Sequence, residues 1–326
     1  MPRLSITVER FPIAGKFVIS RGAKTEAVVV VATIEEAGFR GRGECVPYAR
    51  YGETVESVAA QITSVRSCVE AGVDCAELQA LLPAGAARNA LDCALWDFTA
   101  KRRGVPVHEL AGLPPPVAVT TAFTISVGAP AEMAAAAARA RERPILKIKL
   151  AGEGDPARLA AVRAAAPEAL LIVDANEAWT QADLERHLAA CAEAGVALVE
   201  QPLAASDDDA LARIERIVPV CADESVHDRR GLEFLRERYD AINVKLDKAG
   251  GLTEVLAMTK QAETLGFGLV IGCMVATSLA MAPALLTAAS ARFVDLDGPL
   301  LLERDRAHGL AYEGSLIRPP SRALWG

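Results

Sequence analysis

From about residue 119 onward, the chain alternates short, β-branched hydrophobic runs with stretches of helical pattern. The runs are AVTTAFTIS, ILKIKL, LLIVDAN, ALVEQP, VCADES, AINVKL, LVIGC and FVDLD, and most of them carry a polar or charged residue at or near their end. Their ends are 25, 26, 23, 22, 26 and 24 residues apart when they are marked by Lys149, Asp174, Glu200, Asp223, Lys245, Ile271 and Asp295. One strand, one helix and two short loops fill that length. Eight such strand signals with helices between them predict a parallel (β/α) barrel of the α/β class.

The first third of the chain has a different pattern. Two strand-like runs, LSITVERF and EAVVVVATIE, lie next to the turn Glu36-Ala37-Gly38. Helical patterns follow at about 53–70 and 84–103, and the second ends in a basic turn and a glycine, which is typical of a helix C-terminus. Three consecutive prolines at 114–116 form a natural boundary. The pattern predicts an α+β domain over residues 1–115 that precedes the barrel.

The segment 266–291 carries no charged residue and is long enough to cross a bilayer. It contains glycine, proline and hydroxyl residues, however, and it divides into a short β-rich piece, LVIGC, and an alanine-leucine stretch. We therefore interpret it as a buried strand followed by a packed helix.

Charge and cysteine content limit the partners and the cellular compartment that are expected for this protein. The formal net charge is −7 and no run of lysine or arginine stands out, which argues against a nucleic-acid partner. Seven cysteines without a C-x-x-C spacing, mostly in apolar stretches, are typical of reduced thiols in a cytosolic core. The N-terminal sequence MPRLSITVER has no apolar signal region. We expect a cytoplasmic protein with no membrane partner.

Catalytic groups in such barrels project from the carboxyl-terminal ends of the strands. Alternation along a strand puts both lysines of the second run on one inward face. The charged residues that the run ends place at the barrel mouth are Lys147, Lys149, Asp174, Glu200, Asp223, Lys245, Asp295 and Asp297. Each has an ordinary explanation when taken singly, as a solvated face, a turn or a salt bridge. All of them fall at the same place in the strand–helix repeat, however, and this regularity favours a functional site.

Three carboxylates end adjacent strands and are expected to converge, namely those of Asp174, Glu200 and Asp223. Left unpaired they would repel one another, so a positive charge is expected among them. An oxygen-only set with room for water suits one Mg²⁺ ion, or Mn²⁺, rather than zinc, which favours His or Cys. None of the four histidines lies at a run end. The sequence therefore predicts a divalent-metal site.

The motifs at these positions resemble those of a known family. The series KIK, DAN, EQP, ADES and NVKLDKAGG resembles the muconate-lactonising branch of the enolase superfamily, and AARNALDCALWDFTAKRRGVPVHEL resembles its capping-domain helix. More narrowly, GECVPYARYGE, TISVGAP and VDLDGPLLL resemble the L-Ala-D/L-Glu epimerases. The resemblance implies a modified (β/α)8-type barrel, (β/α)7β, over residues 116–304, an N-terminal α+β capping domain, and a tail, 305–326, that packs back on the capping domain.

The resemblance also implies the chemistry. The implied metal ligands are Asp174, Glu200 and Asp223. Lys149 and Lys245 would be the paired acid/base residues, and Lys147 would lie beside both the substrate carboxylate and Lys149. The implied activity is that of a Mg²⁺-dependent isomerase, which transfers a proton at the α-carbon of the C-terminal residue of L-Ala-D/L-Glu-like dipeptides in murein peptide metabolism. We expect the enzyme to be a homo-oligomer.

Substrate contacts are inferred for four further positions. Asp295 and Asp297 suit the free ammonium group of a dipeptide, as the corresponding residues do in the family. Thr124, at the end of the first barrel strand, is a plausible hydrogen-bonding contact to the peptide. Arg21, in a loop of the capping domain, either meets the side-chain carboxylate of a glutamate or is an exposed loop arginine.

Other activities remain open at this point. The nearest alternatives keep the fold and change the substrate: an N-acylamino acid racemase, an o-succinylbenzoate synthase or a cycloisomerase. Asp295 and Asp297 argue against them, because none of these substrates needs an ammonium partner. An aldolase that forms a Schiff base on lysine would leave three converging acids unexplained. A barrel kept only as a binding or structural protein would have no reason to retain two inward lysines beside those acids.

Overall fold

Three long antiparallel strands open the chain in the computed structural model, which describes residues 1–326. They are β1 (Arg3–Ile19), β2 (Gly22–Glu36) and β3 (Phe39–Cys45), paired in that order. Ala37 and Gly38 form the turn between β2 and β3, and both have the positive φ that tight hairpin turns require. The register of β1 shifts between Pro12 and Phe17, and beyond the shift Phe17 and Ile19 line the cavity described below.

Five helices complete the N-terminal unit. They are α1 (Val55–Ser64), α2 (Arg66–Ala71), α3 (Cys75–Leu81), α4 (Ala86–Arg103) and α5 (Val107–Leu110). The helix predicted at about 53–70 is thus divided into α1 and α2. The longest helix, α4, packs closely on β3 because Gly41 and Gly43 have no side chain. A Cβ atom on either glycine would lie 2.1–2.3 Å from a backbone atom of α4.

Eight parallel strands form the second sheet, in the order in which they occur along the chain. After β4 (Val119–Thr120), these are β5 (Phe123–Ile125), β6 (Ile145–Lys149), β7 (Leu170–Asp174), β8 (Val196–Glu200), β9 (Val220–Ala222), β10 (Ala241–Val244), β11 (Gly268–Gly272) and β12 (Phe293–Asp295). The predicted fold class, a parallel α/β barrel behind an α+β capping domain, is confirmed.

Helices alternate with these strands, although some connections are short. The helices are α6 (Pro130–Arg139), α7 (Asp155–Ala165), α8 (Leu184–Glu193), α9 (Leu232–Leu235), α10 (Leu246–Ala249), α11 (Leu252–Thr264) and α12 (Ser278–Ala284). Four 3₁₀ helices are Ala49–Tyr51, Asp208–Ala212, Ala288–Ser290 and Gly298–Leu301.

The first and last strands of the barrel meet through the residues just before β5. Thr121 and Val294 form a parallel bridge, and the N–H of Ala122 donates to the carbonyl of Val294 at 2.8 Å. The hydroxyl of Thr121 accepts a hydrogen bond from the N–H of Leu296 at 2.9 Å. The predicted first run, AVTTAFTIS, is therefore divided, since β5 belongs to the barrel while β4 pairs elsewhere.

The C-terminal tail contacts both parts of the molecule. Its two short strands are β13 (Tyr312–Glu313) and β14 (Leu316–Ile317), and β14 pairs with β4. Beyond them, the indole N–H of Trp325 donates to the carbonyl of Cys93 at 3.0 Å, and the N–H of Gly326 donates to Asp97 at 2.7 Å. Cys93 and Asp97 belong to α4. The exact division into residues 1–115, 116–304 and 305–326 stays a prediction.

The uncharged segment 266–291 contains β11 and α12, in agreement with the interpretation as a strand and a packed helix. No helix of the structure combines the length and the apolar character that a membrane span requires.

Candidate active site

A layer of mainly apolar side chains fills the interior of the barrel below its carboxyl-terminal mouth. Its members are Ala122, Ile172, Leu198, Cys221, Ala241, Val270 and Phe293. Because strand residues alternate between faces, the next inward position on each strand is two residues further on. Those positions are Thr124, Asp174, Glu200, Asp223, Asn243, Gly272 and Asp295. The polar site thus lies directly above an apolar floor.

The three predicted metal ligands converge. One carboxylate oxygen from each of Asp174, Glu200 and Asp223 lies within 4.8 Å of the others, and all three residues are buried. Their strands, β7, β8 and β9, are neighbours in the sheet, so side chains at equivalent heights necessarily meet. Asp223 follows the last residue of β9 rather than ending it.

This triad can hold a metal ion. Oε2 of Glu200 is buried and accepts no well-formed hydrogen bond, although the ammonium group of Lys147 lies 2.8 Å away. Burial, then the neighbouring charge of Asp174, raises the pKa of Glu200 to about 8. The surrounding lysines outweigh burial at the other two acids and hold the pKa values of Asp174 and Asp223 well below their ordinary range, so both are ionised and able to bind a cation. Oxygen donors without Cys or His favour a hard cation.

Two lysines reach the triad from opposite sides. The ammonium of Lys149 is 2.6 Å from Asp174, and that of Lys245 is 2.7 Å from Asp223. Lys149 ends β6 and Lys245 follows β10, and these strands are four positions apart in a barrel of eight. Burial lowers the pKa of Lys245, but Asp223 and Glu200 outweigh it and hold that pKa well above its ordinary value.

Lys147 occupies the centre of the acidic group. Its ammonium lies 2.6 Å from Asp295, 2.8 Å from Glu200 and 3.4 Å from Asp174. Burial lowers the pKa of Lys147, but the three carboxylates, Asp295 first, outweigh it and raise that pKa well above its usual range. Lys147 is therefore a fixed positive charge.

Asp295 and Asp297 are close together, but only Asp295 is in a strand. Asp297 lies beyond β12, at the start of the 3₁₀ helix Gly298–Leu301, whereas the sequence placed both in the strand. The backbone N–H of Thr124 donates to Asp297 at 2.7 Å. Oδ1 of Asp295 is buried without a partner. Burial, then the charge of Asp295, raises the pKa of Asp297 to about 7, so the pair would be stabilised by a cationic ligand.

A cavity of about 440 Å³ lies above these groups, between the barrel and the capping domain. The predicted site residues that line it are Thr124, Lys147, Lys149, Asp223, Lys245, Asp295 and Asp297. Asp174 and Glu200 are at most 1 % exposed and lie behind this lining.

Arg21 lines the cavity, but its guanidinium is bound within the protein. It lies 2.6 Å from a carboxylate oxygen of Glu224 and donates to the carbonyl of Asn176 at 2.8 Å. Arg50, from the other capping-domain segment in the lining, makes two hydrogen bonds to Glu177 at 2.7 and 2.8 Å. Both segments are thereby held against the barrel loop after β7. Arg21 therefore holds the capping domain against the barrel, and a contact between Arg21 and a substrate carboxylate stays a prediction.

Lys24 is a cavity residue to which the sequence pattern assigned no role. It lines the cavity near the start of β2, and its ammonium lies 5.1 Å from the ring centroid of Tyr48. Lys24 is exposed to solvent, and desolvation by the nearby protein atoms lowers its pKa. Among the basic residues of the lining, it alone has no acidic partner. The sequence feature that could have indicated a place for Lys24 in the cavity is its position three residues after Arg21, in RGAK.

Two further polar residues belong to the motif NVKLDKAGG, of which only Lys245 was given a role. The amide of Asn243 donates to Glu200 at 2.8 Å. Gly272 on the next strand leaves room for it, since a Cβ there would lie 2.3 Å from Oδ1 of Asn243. Lys248 is buried and contacts Asp223.

Two family models match the chain. The model "Mandelate racemase / muconate lactonizing enzyme, N-terminal domain" matches residues 3–112, and "Enolase C-terminal domain-like" matches residues 131–322. The chain therefore belongs to the mandelate racemase / muconate lactonizing enzyme family of the enolase superfamily. The family membership predicted from the motifs is thereby confirmed.

Superfamily members of known activity are similar over almost the whole chain. L-Ala-D/L-Glu epimerase of Escherichia coli (strain K12) is 47% identical over 307 residues, which cover 94% of this chain and 96% of that protein. N-acetyl-D-glutamate racemase of Pseudoalteromonas sp is 42% identical, with 91% and 95% covered. Both relatives are isomerases, and so is this member of the superfamily.

A crystal structure offers a close comparison of the fold. It is that of an enolase family member from Agrobacterium tumefaciens with homology to dipeptide epimerases, with bound sodium and L-Ala-L-Glu. It is 54% identical to this chain, 100% of each chain is covered, and the TM-score is 0.99.

Proposed function

We propose that this enzyme is a Mg²⁺-dependent dipeptide epimerase that inverts the α-carbon of the C-terminal residue of L-Ala-D/L-Glu-like dipeptides. The observation that carries the proposal is the approach of Lys149 and Lys245 from opposite sides of the barrel to one acidic triad. One lysine on each face of the α-carbon can remove the hydrogen on one side and return it on the other. A single lysine would only exchange the hydrogen without inversion.

Asp174, Glu200 and Asp223 are proposed to hold the cation, and Mg²⁺ suits their oxygen-only donor set. When bound, a divalent cation supplies positive charge that stabilises the negative charge developing on the substrate carboxylate. Lys147, fully buried and permanently charged, is placed to add a second positive charge on the same side.

The lysine that accepts the hydrogen must be neutral when it does so. Asp223 and Glu200 hold the pKa of Lys245 high despite its burial. We infer that these carboxylates must share their charge with another cation before Lys245 can work as a base.

The proposed ammonium site is formed by Asp295 and Asp297. Both carboxylates line the cavity, Oδ1 of Asp295 has no partner, and the pKa of Asp297 is raised by burial and by Asp295. An ammonium group would satisfy these charges, and burying that group without them would be costly. Thr124 orients Asp297 through its backbone N–H.

Lys24 is proposed to bind the side-chain carboxylate of a C-terminal glutamate, because it is the one unpaired cation of the cavity. The relative from Agrobacterium tumefaciens that is 54% identical holds L-Ala-L-Glu, which supports an acidic substrate. Such dipeptides would place the enzyme in murein peptide metabolism, as the resemblance implies. The homo-oligomeric state stays a prediction.

Proton NMR in D₂O with a panel of dipeptides tests this function. We expect deuterium to enter at the α-carbon of the C-terminal residue of L-Ala-L-Glu and L-Ala-D-Glu, together with interconversion of the two. With Lys245→Ala, interconversion should stop while one diastereomer still exchanges through Lys149, and Lys149→Ala should give the opposite selectivity. Exchange of the same diastereomer by both variants would refute the two-base scheme.

Racemisation of an N-acylated glutamate is the second candidate, because N-acetyl-D-glutamate racemase is 42% identical. The buried pair Asp295 and Asp297 argues against it, since an N-acyl group carries no positive charge. A higher kcat/KM for N-acetyl-glutamate than for L-Ala-L-Glu would favour this candidate.

A further inference from the structure

Lys248 is a buried charged residue to which the proposed reaction gives no role. It belongs to α10, the four-residue helix that follows Lys245, and it is 1 % exposed. Its ammonium donates to Oδ1 of Asp223 at 2.5 Å, to the carbonyl of Asp223 at 2.6 Å and to the carbonyl of Asn243 at 3.0 Å. These three contacts match the three hydrogens of an ammonium group.

The carboxylate of Asp223 is consequently held from two sides. Oδ1 accepts from Lys248, and Oδ2 accepts from Lys245 at 2.7 Å. The short helix makes this possible, because it begins with a hydrogen bond from the N–H of Lys248 to the carbonyl of Lys245 at 3.1 Å. Two lysines three residues apart thus reach the two oxygens of one carboxylate.

The acid on the opposite side, Asp174, is held differently, because no lysine contacts its Oδ1 and a second lysine, Lys147, lies 3.4 Å from its Oδ2. Oδ2 of Asp174 accepts from Lys149, and its Oδ1 accepts from the backbone N–H of Asn176 at 2.9 Å. The side chain of Lys248 contacts no carboxylate other than Asp223 within 4.0 Å. Its electrostatic effect is therefore strongest on the half of the site that contains Lys245.

We propose that Lys248 is a positioning residue that fixes the carboxylate of Asp223. It occupies Oδ1, so that Oδ2 alone remains directed at Lys245 and available to a metal ion. The proposal rests on the proposed function for its catalytic consequence, which is control of the Lys245 side of the reaction. Its consequence for metal binding does not depend on the substrate.

The test uses Lys248→Gln, which keeps a hydrogen-bond donor without charge, and Lys248→Met, which removes both. Lys101→Met is the matched control, since Lys101 is also paired with a buried aspartate, Asp97 at 2.8 Å, but lies on α4 away from the cavity. Titration of each full-length protein with MgCl₂ by calorimetry gives the first readout. We expect the Kd for Mg²⁺ to rise about 10- to 100-fold in both Lys248 variants, as is usual when a partner of a metal ligand is lost, and to be unchanged in the control.

The second readout is α-hydrogen exchange of the two dipeptide diastereomers in D₂O at saturating Mg²⁺. The diastereomer served by Lys245, identified with the variants Lys149→Ala and Lys245→Ala, should exchange more slowly in both Lys248 variants. Exchange of the other diastereomer should keep its wild-type rate. A purely structural role would slow both equally.

Three outcomes would overturn the proposal: an unchanged Kd for Mg²⁺, equal slowing of both diastereomers, or loss of the fold in both Lys248 variants. The last would mean that Lys248 is needed for stability instead. If the wild type exchanges no dipeptide at all, the proposed function fails. The Mg²⁺ titration still decides whether Lys248 positions Asp223.

Discussion

The carboxylate of Asp297 accepts a hydrogen bond from the backbone N–H of Thr124 at 2.7 Å, and this contact joins the last segment of the barrel to its first strand. The bond uses one oxygen, Oδ2, and fixes the side chain at the edge of the cavity next to Asp295. A charge held in this way is ready to meet a cation without reorganisation. The geometry therefore separates two roles of Asp297, a structural one that an amide oxygen could fill and an electrostatic one that it could not.

Asp297→Asn tests the electrostatic role, because it keeps an acceptor for Thr124 and removes the charge. A hydrogen bond to an ionised partner is worth about 1.5–3 kcal/mol, or roughly ten- to a hundredfold in affinity. We expect KM for L-Ala-L-Glu to rise by that factor, while the N-acetylated dipeptide is affected little. The measurement is kcat/KM for both substrates in both proteins. If their ratio does not change, the ammonium is recognised elsewhere.

Removal of divalent metal should abolish turnover, because three buried carboxylates converge on one point and Oε2 of Glu200 has no well-formed hydrogen bond. We expect exhaustive dialysis against EDTA to stop epimerisation and MgCl₂ to restore it. Mg²⁺ at a hundred times its Kd should also add about 2.7 kcal/mol to the free energy of unfolding. Asp174→Asn should weaken both effects, whereas Asp183→Asn, at an exposed position of the barrel, should weaken neither. Full activity after dialysis would contradict the metal assignment.

Lys24→Met should change substrate preference rather than the reaction itself. Lys24 is the unpaired cation of the cavity and is separate from the acidic triad. We expect kcat/KM for L-Ala-L-Glu to fall about tenfold or more, as for the loss of one charged hydrogen bond, and that for L-Ala-L-Met to fall much less. Lys16→Met is the control, since Lys16 is exposed on β1 and does not line the cavity. Equal losses for both dipeptides would remove Lys24 from the substrate site.

The barrel and the positions of its inward charges could be predicted because both follow from local pattern. A repeat of one strand and one helix sets which residues end the strands, and alternation sets which of them face inward. Asp174, Glu200 and Asp223 therefore meet because their strands are neighbours. These are consequences of periodicity, and no long-range contact had to be known.

The capping-domain contributions could not be predicted in the same way. Arg21 and Lys24 are both basic and three residues apart, and nothing local indicates which of them is engaged by protein. The choice depends on Glu224, some two hundred residues away, which binds Arg21 and leaves Lys24 unpaired. The same holds for Lys248, which lies after β10, whereas its partner Asp223 follows β9. Side-chain pairing across distant segments decides these roles.

The stability of the contact between the capping domain and the barrel should depend on pH through Asp247. This residue of α10 is buried and accepts hydrogen bonds from the N–H of Val46 at 3.0 Å and from the amide of Asn89 at 2.9 Å. Burial raises the pKa of Asp247 to about 7. In the unfolded chain an aspartate titrates near 3.9. The folded protein therefore binds a proton that the unfolded chain lacks between these two pH values.

The direction of the pH effect on stability follows from the difference in proton binding between the folded and the unfolded protein. Protonation of Asp247 stabilises the fold fully below about pH 4, and this contribution is lost as the pH rises through about 7. Asp247→Asn keeps an oxygen acceptor and never ionises. We therefore expect the variant to be more stable than the wild type at pH 8, by roughly 2–4 kcal/mol, and to lose that advantage near pH 4.

Urea unfolding of both proteins at pH 4 and pH 8 measures this difference in stability. Asp92→Asn provides a matched comparison, because burial raises the pKa of Asp92 to about 6, so its effect should disappear at a lower pH. A difference that is the same at pH 4 and pH 8 would mean that Asp247 remains ionised in the folded protein throughout this range.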